Sequence, residues 1–148
     1  MLRDTPEGWL EEVEEWNKAV VAHYDEMESL LTRNRIWMDR TQNVGILSTE
    51  DAIQLGVSGP VLRASGVDFD VRRDAPYSFY DPLQFVVPYG AGPVAGVVGD
   101  CFSRHWFRVF EVEQSVRLVR QALKQMPEGP VMGRVPRGFM PKPGEGYV

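Results

Sequence analysis

The sequence predicts a mostly α fold: two long antiparallel helices bracketing a turn-rich irregular middle, as part of a helical bundle. Two stripes of apolar residues at helical spacing, one near each end of the chain, predict the helices. A middle broken by glycine and proline into short pieces predicts the rest.

The first stripe runs through Trp9, Val13, Trp16, Val20, Tyr24, Met27 and Leu31, in steps of three and four, and predicts a helix from Pro6 to about Arg33. Asp4 with Glu7 three residues on reads as a capping box, with Pro6 in the first turn. Glu11, Glu12, Glu14 and Glu15 fall towards the positive end of the helix dipole, and Arg33 and Arg35 towards the negative end. The second stripe, Phe102, Trp106, Val109, Val116, Val119, Leu123 and Met126, predicts a helix from Gly99 to Met126, capped by Asp100 and stopped by Pro127. Phe107 and Phe110 widen its apolar arc early, whereas Arg117, Arg120 and Lys124 keep its later half solvated.

Between these helices Ser48 or Thr49 with Asp51 opens a short helix through Leu55, and Gly56 closes it. Gly56 to Gly59, with Ser65-Gly66, fits neither the dinucleotide nor the P-loop pattern and reads as turn-rich packing. Tyr77 to Val87, interrupted by Pro82, reads as irregular extended chain, and Tyr89 to Gly99 as a flexible loop. Residues 1–130 form the helical core segment, and 131–148 an extended tail rich in proline and glycine.

The chain has 148 residues, 43% hydrophobic and 25% charged, the composition of a globular domain. A net charge of -5 provides no positive field for nucleic acid. The single Cys101 excludes an internal disulfide and any four-thiolate cluster built from this chain, and fits a reducing compartment. No apolar leader opens the sequence, and no apolar run approaches the ~20 residues that span a bilayer.

Cys101 and His105 stand four apart on one helix face, which supplies at most half a metal site. As thiol and base they would point alongside one another, with no third group to orient them. The stretch from Arg63 to Asp74 sets charges among glycine turns and aromatic residues. Its arginines are expected to pair with carboxylates, Arg72 with Asp68 or Asp70, and to brace irregular backbone; alternatively the loop faces a partner subunit.

Several runs resemble one known family, in that family's order: Asn34 to Thr41, Gly45 to Ser48, Ser58 to Gly66, Asp70-Val71-Arg72, Pro76-Tyr77, Gly99-Asp100-Cys101, Gln114-Ser115 and Gln125 to Pro130. The family is the D subunit of NADH-quinone oxidoreductase, respiratory complex I, related to the large subunit of nickel-iron hydrogenases. The chain is similar to its central fragment. The resemblance implies a helical-bundle core in the peripheral arm, in contact with the iron-sulphur subunit and other peripheral-arm subunits, on the cytoplasmic side of the plasma membrane. It implies that quinone, NADH and iron-sulphur clusters belong to the parent complex, with none bound by this chain and no catalytic, cofactor-binding or metal residue in it. Arg63, Ser65, Gly66, Asp70 and Arg72 are then structural or subunit-interface residues. The isolated piece is expected to be inactive and to self-associate. A membrane-bound hydrogenase-like large subunit shares the Arg-Ala-Ser-Gly and Asp-Val-Arg-Arg-Asp patterns, and a non-catalytic assembly or scaffold protein is a third reading.

Overall fold

A computed structural model describes residues 5–32, 34–90, 97–131, 133–134, 138 and 143–145. Its helices are α1 (Trp9–Leu31), α2 (Arg35–Thr41), α3 (Thr49–Gln54), α4 (Gly59–Ala64), α5 (Val71–Asp74) and α6 (Cys101–Lys124), with no strand among the described residues. The mostly α class is as the two stripes require.

α6 is the axis of the fold. Asp100 caps it, its side chain accepting from the Ser103 amide at 2.7 Å, as the sequence suggested. One face meets α1. Trp9 and Val13 lie with Val119, Leu123 and Met126, while Tyr24 and Glu28 lie with Trp106, Val109 and Phe110, so the two helices run antiparallel. At the crossing, Arg120 Nε donates to both Glu14 carboxylate oxygens at 3.0 and 3.2 Å. The other face, with Phe107, Glu111, Gln114, Leu118 and Gln121, carries the middle of the chain. Gln121 holds Gln84 from both sides, accepting from its amide at 2.9 Å and donating to its carbonyl at 2.6 Å; Gln114 accepts from Val86 N at 3.1 Å. Two glutamines seven residues apart thus satisfy backbone that Pro82 and Pro88 keep out of any sheet.

Several expectations are corrected. α1 begins at Trp9 with Gly8 as its cap, because the chain turns there at φ 80 and the Trp9 amide reaches back to the Pro6 carbonyl at 3.2 Å. Pro6 and Glu7 therefore precede the helix, and Asp4 lies outside the described residues. Trp16, at 63% exposure, and Met27 face away from α6; the buried place on α1 belongs to Asn17. Arg35 does not end α1 but opens α2, since the Asn34 side chain caps a new helix by accepting from Ile36 N and Trp37 N. Between the two glycine stretches read as turn-rich packing, Gly59–Ala64 is the helix α4, and the later half of α6 buries Gln114, Val116 and Leu118. Arg120 is accordingly half-buried against Glu14 rather than solvated. α3 forms as expected, with Ser48 as cap and Gly56 at φ 64 beyond its end. Of the expected loop from Tyr89 to Gly99, residues 91–96 lie outside the described residues, as does most of the 131–148 tail.

Candidate functional site

The charges between Arg63 and Asp74 sort into a buried cluster of Arg63, Asp70 and Arg72 and an exposed group of Asp68, Arg73 and Asp74. α4 delivers Arg63 into the interior, only 4% exposed, and its guanidinium meets two carboxylates: Asp70 at 3.1 Å and Glu111 of α6. Asp70, 2% exposed, caps the single turn of α5 by accepting from Arg72 N at 3.0 Å, and takes Arg72 Nε and Nη2 at 2.9 and 2.6 Å. Arg72 also lies 5.1 Å over the Phe85 ring. Of the two partners foreseen for Arg72, the structure selects Asp70; Asp68 pairs instead with Arg73 at 2.7 Å. Burial alone would push the Asp70 carboxyl up, but hydrogen bonds from Arg72 and the charges of Arg72 and Arg63 outweigh it and hold it below the usual range. The same pairing raises Arg72.

Two carboxylates balance two guanidinium groups, so the cluster is neutral as a whole, the condition under which buried ions are tolerated. It floors a cleft of about 360 Å³ bounded by Ser58, Pro60, Val71 and Tyr77, with Phe69, Val71 and Tyr77 exposed at its rim. The charged side chains at its floor pair with one another.

Ser65 and Gly66, also singled out by sequence, stand at the end of α4 outside that cleft. Ser65 is fully buried and its carbonyl accepts from Thr49 Oγ1 at 2.6 Å. Gly66, at φ +94, brings the backbone against Val98 and Thr49.

Sequence reasoning from the loop missed Glu111, which lies 48 residues from Arg63. The signal was present, since a carboxylate four residues after Phe107 and three before Gln114 falls on the buried side of α6. It also missed the knot at the start of α6. There Asp100 is fully buried and accepts from the amides of Asn43 at 2.9 Å and Val97 at 3.3 Å besides its cap bond. Burial opposes its charge, yet these bonds keep the Asp100 carboxyl below its ordinary value. Gly99, at φ +87, donates to Ala64 O at 2.8 Å and accepts from Leu47 N at 2.9 Å, tying three segments at one residue.

Cys101 and His105 are not brought to a common centre. The thiol lies 3.1 Å from Arg104 Nη2, while the imidazole meets Trp37 edge-on at 5.2 Å. Among the described residues no three His, Cys, Asp or Glu side chains gather as a metal site, and one thiol does not fit an iron-sulphur cluster.

Residues 1–147 match the family described as respiratory-chain NADH dehydrogenase, 49 Kd subunit. The chain belongs to that family. It is 46% identical over 142 residues to the NADH-quinone oxidoreductase D subunit of Methylacidiphilum infernorum, covering 96% of this chain and 32% of the relative. It is 42% identical to the corresponding D subunit of Desulforamulus reducens, over 98% of this chain and 38% of the relative. Against the D subunit of Carboxydothermus hydrogenoformans the identity is also 42%, over 97% of this chain and 38% of the relative. The chain therefore spans about a third of the length of these relatives. The ion-pair cluster, the Asp100 knot and the glutamine ladder all lie within the matched residues.

Proposed function

We propose that this chain is a structural and subunit-interface segment of the quinone-site subunit of NADH-quinone oxidoreductase, an assembly passing electrons from NADH through iron-sulphur clusters to quinone, coupled to ion translocation. In this reading quinone, NADH and the clusters are held elsewhere in the complex. The partners are the iron-sulphur subunit and other peripheral-arm subunits, on the cytoplasmic side of the membrane. No helix among the described residues is long and apolar enough to cross a bilayer.

The observation that carries the reading is the cleft of the Arg63 cluster. Its charged groups pair with one another and so serve position more than chemistry, while Phe69, Val71 and Tyr77 present apolar surface directly above them. A rigid floor of ion pairs under an exposed aromatic rim suits a surface that another subunit covers.

Two variants in the full complex test this. Phe69→Ser alters only the rim and is expected to leave the helical content of the chain intact while lowering the yield of assembled complex and its NADH-driven quinone reduction. Arg72→Glu, which sets like charge beside Asp70 and Glu111, is expected to lower both more severely. Unaltered assembly and turnover in both variants would contradict the interface role.

A further inference from the structure

α2 lies against α6 through a pair of rings. The indole of Trp37 and the imidazole of His105 meet edge-on, their centroids 5.2 Å apart and their planes at 69°. Among the described residues no hydrogen bond or ion pair joins Arg35–Thr41 to α6: Arg35 pairs with Asp39 of its own helix, and Thr41 Oγ1 donates to the Trp37 carbonyl at 2.7 Å. Each ring buries a nitrogen, Nε1 of Trp37 and Nε2 of His105, and neither nitrogen has a partner among the described residues. Beyond α2 the chain is pinned, with the Asn43 amide donating to Asp100 at 2.9 Å and Cys101 N donating to the Val44 carbonyl at 2.9 Å. α2 is thus a short lever between the end of α1 and that pinned turn, and the ring pair is its fastening. Both elements belong to this chain, which buries these atoms by itself, so the contact does not depend on what covers the outer surfaces.

We propose that the Trp37–His105 contact is a proton-sensitive latch: the neutral imidazole fastens α2 to α6, and protonation of His105 releases it. A neutral Nε2 without a partner is a modest cost, whereas an imidazolium there carries a second N–H donor and a charge with no acceptor to receive them. The charged group that faces the ring from α1 is Glu28 and from α6 it is Arg108, while Trp37 brings no charge from α2. Burial acts first and Arg108 next, both against the charged ring, and Glu28 opposes them without prevailing, so the pKa lies below the ordinary 6.5. The latch is therefore closed above pH 6.5 and opens as pH falls below it. His23, the other histidine of the chain, is exposed on α1 with its Nδ1 2.8 Å from the Ala19 carbonyl and has no such place.

Hydrogen-exchange mass spectrometry on the chain in its native assembly, at pH 7.5 and pH 5.5 and corrected for intrinsic exchange rates, reads the latch directly. Protection of the α2 amides is expected to fall at pH 5.5 by up to about tenfold, the limit set by one pH unit below 6.5, with the α3 amides unchanged. His105→Gln and His105→Phe each remove the titrating group and are expected to abolish the pH dependence, whereas His23→Gln is expected to keep it. Equal loss of protection in α2 and α3 would reveal a general loosening in acid and overturn the proposal. Unchanged protection would overturn it too, as would a pH response that survives both His105 substitutions. So would a tighter α2 at pH 5.5, in which the indole holds the imidazolium as a cation instead of releasing it.

Discussion

Asp70 answers to two guanidinium groups at once, so its replacement leaves both Arg63 and Arg72 short of a counter-charge in the interior. Removing one partner of a buried pair typically costs about 3 to 5 kcal/mol, and Asp70→Asn is expected to lower unfolding stability by that order in urea titrations. Asp70 and Asp100 also set the acid limb. Each carboxyl is held below its ordinary value of about 3.9. Their stabilisation is therefore complete above that pH and is lost as pH falls through the lower folded-state values. Unfolding midpoints measured from pH 5 down to pH 2 are expected to fall, and to fall less steeply in Asp70→Asn. Gly99 is the third sensitive residue: a Cβ there would sit 2.1 Å from Leu47 O at a φ of +87. Gly99→Ala is expected to cost more than about 3 kcal/mol, whereas Gly59→Ala, also at positive φ but facing open space, is expected to cost about 1 kcal/mol. The pairing of Arg72 was legible because its candidate partners stood two and four residues away. That Glu111 lies on the buried side of α6 was legible from its spacing to Phe107, but its pairing with Arg63 was not, since nothing local says which charge a distant arginine will reach.

At the scale of elements, the two long helices were legible from their apolar periodicity, and α3 from its Ser48 cap and the Gly56 beyond its end. α2, α4 and α5 were not, being at most seven residues long and too short to show a stripe. α4 was further hidden by Gly59-Pro60, a turn signal that here starts a helix. The outward position of Trp16 was illegible for another reason: a stripe of three and four on α1 does not say which side α6 will choose, and α6 chose the side of Asn17. The docking of α2 onto α6 carries its own pH signature. Burial beside Trp37, followed by the charge of Arg108, lowers the pKa of His105, with Glu28 opposing. A folded-state value below the ordinary 6.5 means that this contribution is present above pH 6.5 and is lost as pH falls below it. Stability measured between pH 7.5 and pH 5.5 is expected to decline on acidification. His105→Gln is expected to flatten that decline.

At the scale of the whole molecule, exposed large apolar residues outnumber buried ones among the described residues. Trp16, Leu30, Ile36, Ile53 and Leu55 are among the large side chains open to water, while among the described residues the fully buried large apolar side chains are Phe102 and Phe107. Such a chain in isolation is expected to bind an apolar dye and to self-associate at micromolar concentration; a monodisperse monomer without dye binding would contradict this. The same surplus fits a segment spanning about a third of its relatives' length. The measurement that tests the central claim most directly is purification of the native complex containing this sequence from its source membranes, with its subunits and activity identified. Copurification with iron-sulphur subunits and NADH-driven quinone reduction is the predicted result. Nickel with hydrogen evolution, or a lone chain without those partners, would contradict it.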